Sequence, residues 1–287
     1  MMVDVKVIED IAGMRSYVSG IKARGDTIGL VPTMGYLHEG HLSLMRKARE
    51  LSDHVVISIF VNPTQFGPNE DLDRYPRDFE RDMDLASSVG VECIFHPRSQ
   101  DIYPKGYATY IHVEGLSSVL CGVSRPTHFR GVATVVAKLF NIVEPDIAVF
   151  GEKDYQQLVI IRRMVADLNM KVKIVGHPIV REKDGLAMSS RNRYLSQQER
   201  KKATVLSRAL KRAEDMFNNG ERDVSAIRDA LVKMIMGEDD CNIDYVEIVD
   251  ADDLSRLRTI DRKAVIALAV NIGKARLIDN TILDPSL

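Results

Sequence analysis

Over its first 180 residues the chain alternates short apolar runs with longer stretches whose apolar positions recur at helical spacing. Val5 to Ile8 is a short alternating run, and Ile11, Met14, Val18 and Ile21 then mark a helix that stops near Gly25. Ile28 to Val31 reads as a buried strand bounded by Pro32; Leu42, Met45, Ala48 and Leu51 define the helix after it. His54 leads into residues 55–61, VVISIFV, a continuous apolar run suited to a strand buried on both faces. Residues 62–68 are a turn by composition, 76–90 a helix charged on one side, and 91–95 a strand. Residues 98–126 are irregular, with one expected strand at 109–113. The rhythm resumes with an apolar helix over 132–143, a strand over 147–150, a helix over 155–168, and extended segments at 172–175 and 179–180.

This alternation predicts an α/β fold with a mostly parallel sheet covered by helices on both faces. The texture changes after Val180. Residues 181–194, REKDGLAMSSRNRY, form a polar, basic loop. Ser196 and Glu199 make a capping box that opens a long helix ending near Gly220, and Asp223 caps a second helix to about Met236. Three strands follow, antiparallel by their short connections. The expected organisation is therefore a larger domain over 1–180 and a smaller α+β domain over 181–287, with the loop at their seam.

Composition narrows the classes without adding a motif. A chain of 287 residues with 45% hydrophobic and 28% charged content can bury a real core. A formal charge of −2 gives no reason to expect a nucleic acid or an anionic membrane as partner. Cys93, Cys121 and Cys241 are odd in number and widely spaced, which fits a reducing compartment. The opening MMVDVKVIED lacks the layout of a signal peptide, and no window reaches the length of an uncharged spanning helix. A cytoplasmic protein is expected.

Four polar clusters fall where such a fold places its sites. His38 and His41 lie between the end of a strand and the start of a helix, within MGYLHEGH. In an open parallel sheet that is the ligand-binding edge, and a helix N-terminus attracts phosphate. Asn62 and Gln65 offer uncharged amides for a carboxylate or hydroxyl. Gly151-Glu152-Lys153-Asp154, followed by Gln156 and Gln157, puts a lysine at a helix start without a Walker A pattern. Met188-Ser189-Ser190-Arg191 supplies hydroxyls and a guanidinium suited to the outer phosphates of a nucleotide, in a segment placed to close over a cleft. Asp78, Asp82 and Asp84 read mostly as a solvated helix face. Residues 128–131, HFRG, could add positive charge. No nucleophile–base pair is evident.

Taken together, PTMGYLHEGH, FVNPTQFGPNEDLDRYPR, HFRGVATVVAKLFNIVEPDIAVFGEKDYQQL and VREKDGLAMSSRNRYLS resemble the blocks of the pantothenate synthetase (pantoate–β-alanine ligase) family, in order and spacing. The resemblance covers nearly the whole chain and weakens after about residue 200. It implies a Rossmann-like N-terminal domain, a smaller C-terminal domain and a homodimer. The implied reaction joins pantoate to β-alanine at the expense of ATP, with Mg²⁺, through a pantoyl adenylate. By similarity, Met34, Gly35, Tyr36, Leu37, His38, Glu39, Gly40 and His41 surround ATP. So do Gly151, Glu152, Lys153, Asp154, Val180, Met188, Ser189, Ser190 and Arg191. His41, His38, Lys153, Ser189, Ser190 and Arg191 would assist the chemistry, with His41 as proton donor. Gln65, Gln157 and Asn62 would hold pantoate, with Gln65 near β-alanine. The histidine motif is also akin to that of class I aminoacyl-tRNA synthetases and nucleotidyltransferases. Two other readings therefore stay open on the residues: a nucleotidylyltransferase, and a non-catalytic ATP sensor.

Overall fold

The computed structural model describes residues 5–68 and 70–286. The leader-free reading of the N-terminus rests partly on residues 1–4, outside the described residues. Six parallel strands form the larger sheet: β1 (Lys6–Ile8), β2 (Ile28–Thr33), β3 (His54–Ile59), β4 (Cys93–Phe95), β5 (Ile147–Gly151) and β6 (Lys173–His177). Their spatial order is β1-β4-β3-β2-β5-β6. From central β2 the chain first builds outward through β3 and β4, then crosses to the other side for β5 and β6. The order thus reverses between β2 and β5, and the crevice outside their carboxyl ends is the favoured ligand position.

Helices cover both faces. α1 (Ile11–Lys22) and α6 (His128–Val143) seal one face, over Ile28, Leu30 and Phe95. α2 (Glu39–Leu51) and α3 (Phe79–Ser88) seal the other, over Val31, Ile57 and Ile94. Two single turns, α4 (Ser99–Ile102) and α5 (Cys121–Ser124), punctuate the irregular region, and α7 (Tyr155–Asp167) follows β5. Central strands that are mostly apolar on both sides are what burial on both faces requires, the buried exceptions being Thr33 and Ser58. Each fully buried Leu or Ile contributes about 1.5–3 kcal/mol to holding the layers together.

The second sheet is antiparallel, β7 (Cys241–Asp250), β8 (Ala264–Ile272) and β9 (Ala275–Leu283) in that order, as the short connections predict. It packs with α8 (Gln197–Ala203), α9 (Val205–Asn218) and α10 (Val224–Met236) around its own core, which Leu186 joins. A small apolar cluster of Tyr155 and Val159 from α7 with Val249, Leu254 and Val265 ties the two sheets together.

Several boundaries differ from the sequence reading. β2 runs through Pro32 instead of stopping before it; the β5 ladder ends at Leu30, so Pro32 needs no donor on that side. No strand forms at 109–113. The Ile111 amide donates to Thr134 Oγ1 on α6, and the segment is laid along a helix, not a sheet edge. The long helix after Ser196 is broken at Thr204, whose hydroxyl bonds back to the Lys201 carbonyl. The break lets Ala203, Val205 and Leu206 all face the core, which one straight helix could not do. The 181–194 loop folds back on itself through an Arg181–Ala187 bridge and a short 3₁₀ turn, Ser190–Tyr194.

Candidate active site

The loop from β2 to α2 turns sharply at Gly35 and Tyr36, both at positive φ. A buried carboxylate holds the turn. Asp82, on α3 and 1% exposed, accepts from the Tyr36 and Leu37 amides at 2.7 and 2.6 Å. Desolvation raises its pKa against the pull of those two bonds. Asp82 is therefore an internal anchor, not part of a solvated face.

His38 is the N-cap of α2, and its main-chain N–H donates to His41 Nδ1 at 3.3 Å. That bond leaves the His41 proton on Nε2. The two rings lie with centroids 4.0 Å apart. Burial, followed by the positive charge of Lys153, pushes His38 down to about 4. Burial, then His38 and Lys153, drive His41 well below the ordinary value. Both imidazoles are neutral at pH 7. His38 Nδ1 is buried with no partner among the described residues, a polar atom offered to a ligand. Residue 40 must be glycine for this arrangement, because a Cβ there would sit 2.9 Å from the His38 ring.

Across the switch point, β5 ends at Gly151 and a 3₁₀ turn, Glu152–Asp154, leads into α7. Asn280 of β9 pins the turn by donating to the Glu152 and Lys153 carbonyls, each at 2.9 Å. The Lys153 ammonium has no hydrogen bond or ion pair among the described residues and lines the crevice. Gln156 turns inward to bond the 116–121 segment, whereas Gln157 faces the crevice.

The seam loop forms the third wall. Met188 N–H donates to Val180 O at 3.0 Å, and Ser190 Oγ meets Tyr75 Oη at 3.3 Å. Arg191 forks onto Asp71 at 2.9 and 3.0 Å, so its guanidinium is held by a carboxylate at the cavity edge. On the fourth side, Asn62 Nδ2 donates to Gln65 Oε1 at 3.0 Å.

These walls enclose a cavity of ≈ 230 Å³ lined by Met34, His38, Gly40, His41, Asn62, Gln65, Gly151, Lys153, Asp154, Gln157, Val180, Met188, Ser189, Ser190 and Arg191. A second cavity of ≈ 560 Å³ opens from it between the two sheets, sharing Arg125, His128, Lys153, Asp154, Gln157, Ser189 and Arg191. Five residues expected around ATP lie off the smaller cavity's lining. Leu37 is fully buried beneath α2, Glu39 pairs with Arg46 on the outer surface, and Tyr36 stacks under Arg81 and Arg193. Gly35 and Glu152 also stand outside it. Asp71, Tyr75, Arg125 and Asn280 were not singled out by the sequence, and Asp82 was read only as part of a solvated helix face. Only the block FVNPTQFGPNEDLDRYPR carried a signal for the first two.

The pantoate-beta-alanine ligase sequence profile matches residues 6–282. A pantothenate synthetase from Moorella thermoacetica is 56% identical over 280 residues, 98% of this chain and 99% of that protein. One from Thermotoga petrophila is 57% identical over 279 residues, covering 97% and 100%. The chain belongs to the pantoate–β-alanine ligase family. Among solved structures, the pantothenate synthetase of Thermus thermophilus superposes with a TM-score of 0.92 at 46% identity, covering 96% of this chain and 99% of that one. The pantoate–β-alanine ligase of Francisella tularensis, complexed with beta-gamma ATP and β-alanine, gives 0.80 at 34% identity, covering 97% and 98%. The family's reaction is the one this ligase carries out: (R)-pantoate and β-alanine condense with ATP to give pantothenate, AMP and pyrophosphate through pantoyl adenylate. Among the described residues no helix is long and apolar enough to cross a membrane.

Proposed function

We propose that the smaller cavity is where this ligase activates pantoate. The observation that carries the assignment is a pair of neutral imidazoles, one with a nitrogen that has no partner among the described residues, facing a lysine equally without one across the switch point. ATP lies along Met34–His41, Gly151–Asp154, Val180 and Met188–Arg191; Leu37, Glu39 and Glu152 support that path from behind. In the first step a pantoate carboxylate oxygen attacks the α-phosphorus and the bond to pyrophosphate breaks. His41 Nε2–H, His38 and Lys153 stabilise the charge that moves onto the leaving phosphates. Ser189, Ser190 and Arg191 take the outer phosphates, and Arg191 exchanges Asp71 for them. Gln65 and Gln157 hold pantoate, with Asn62 close by, its amide hydrogens and oxygen already taken by Gln65, Gly131, Thr64 and Tyr103. In the second step the β-alanine amine attacks the acyl carbon, loses a proton and expels AMP. The larger cavity is the route by which it arrives.

Mg²⁺ would enter with ATP and neutralise charge on the triphosphate, and Asp154 in the cavity lining is the carboxylate that would face it. Among the described residues no group of three His, Cys, Asp or Glu side chains converges. The chain divides at residue 180 into a nucleotide- and pantoate-binding domain and a smaller domain over 181–287. Separate cores, with Leu186 already in the second, support that division. The homodimer rests on the family resemblance; sedimentation at the mass of a single 32.2 kDa chain would refute it. Three free cysteines support a cytoplasmic setting.

AMP release from ATP and Mg²⁺ is the test, with pantoate alone, β-alanine alone, and both. Strong release requiring both acids supports the assignment. Pyrophosphate exchange with pantoate but no response to β-alanine favours a nucleotidylyltransferase, and silence with ATP bound leaves a sensor.

A further inference from the structure

The acid end of the cleft is organised by a hydrogen-bond chain whose polarity follows from its endpoints. The Gly131 carbonyl can only accept, so the Asn62 atom 3.1 Å from it is the amide nitrogen Nδ2. Oδ1 therefore faces the hydroxyls of Tyr103 at 2.8 Å and Thr64 at 2.9 Å, and both donate to it. The remaining Nδ2 hydrogen goes to Gln65, so the receiving atom is Oε1. Gln65 is thereby rotated with Nε2 free of the chain, 3.3 Å from Met34 Sδ, in the cavity wall.

The main chain is fixed as tightly. The Gln65 carbonyl accepts from Arg125 Nη2 at 3.2 Å and from His128 Nδ1 at 2.9 Å. α6 can approach the turn this closely because residue 131 is glycine: a Cβ there would lie 2.4 Å from Thr64 O and 2.6 Å from Gln65 N. Tyr103 stays a donor throughout the working range, since burial pushes its hydroxyl up to about 12. Its ring is packed against Phe60 and Tyr107, outside the cavity lining.

We propose that Tyr103 is a positioning residue which, through Asn62, sets the rotation of Gln65 so that the cleft presents an N–H donor to an oxygen of the acid substrate. The inference rests on the assignment of Gln65 to pantoate made above. Flipping Gln65 would turn its carbonyl oxygen on a carboxylate or hydroxyl oxygen, exchanging attraction for repulsion. The chain thus selects an acid by an oxygen acceptor at this position without adding a charge.

Steady-state KM values for pantoate and for ATP test this in Tyr103→Phe, Thr64→Val, Gln65→Ala and the double variant Tyr103→Phe/Gln65→Ala. Loss of one donor to Asn62 should raise the pantoate KM about 3- to 10-fold and leave the ATP KM unchanged. The double variant should be no worse than Gln65→Ala alone, because Tyr103 acts through Gln65. If Tyr103→Phe folds poorly, Thr64→Val removes a donor from the same oxygen. An unchanged pantoate KM in both single hydroxyl variants, with Gln65→Ala impaired, overturns the relay and leaves the pantoate assignment standing. A full additional penalty in the double variant also overturns it. A wild-type pantoate KM in Gln65→Ala removes the assignment and the proposal together.

Discussion

Single side chains in this site are set by what their other atoms are already doing. His41 is a donor at Nε2 because Nδ1 is occupied by the His38 amide, and it is neutral because burial and Lys153 oppose a proton. A neutral donor can strengthen its bond as charge builds on pyrophosphate without first binding the ground state tightly. His41→Ala should therefore lower the adenylation rate by about 10²–10³ while ATP binding stays nearly intact. Single-turnover kinetics alongside equilibrium nucleotide binding read the two separately, and an unchanged rate would reject the role. The sequence showed the motif and the resemblance named the residue. Which nitrogen carries the proton depended on a three-residue turn geometry that spacing alone does not give.

Among the elements, α3 contributes most beyond what its pattern suggested. Its charged residues look alike in the sequence, yet Asp82 is buried and holds the β2–α2 loop by two amides while Asp78 caps its own helix. Asp82→Ala would leave two buried N–H groups unsatisfied, at about 1–3 kcal/mol each. The expected result is a lower melting temperature and a raised ATP KM, with Asp82→Asn intermediate because it keeps one acceptor. Wild-type values for both quantities in Asp82→Ala would show that the loop holds its shape without the anchor. The missed features share a cause. Asp82, Asn280 and Asp71 act on groups tens of residues away, and the expected strand at 109–113 fails because its neighbour is a helix. Local periodicity reports which face is buried, not what buries it.

Over the whole molecule, the buried histidines tie folding to pH. His38 and His128 are held at about 4 by burial, and burial holds His41 well below its ordinary value too, whereas unfolded histidine titrates near 6.5. The unfolded chain binds protons that the folded one refuses, so stability is full above 6.5 and falls as pH drops towards about 4. Ion-paired carboxylates such as Glu70 and Asp71, also shifted downward, add their losses only below ordinary values of 4.5 and 3.8. Melting temperatures across the interval from 6.5 to 4.5 therefore read chiefly the histidines, with Asp82, whose pKa burial raises, opposing the decline. His128→Gln should flatten the decline, and an identical slope would assign it to other groups. The sequence by itself determined the alternation of strands and helices, the parallel character of the first sheet, the antiparallel second, and the four clusters that converge. These follow from which positions are apolar and from short-range turn chemistry. Only the tertiary structure decided that the chain reverses direction between β2 and β5, that Asn280 reaches across to the Lys153 turn, and that Gly131 brings α6 against Gln65. Each of these is a contact between segments far apart in the chain, and such contacts are settled by packing the whole core at once.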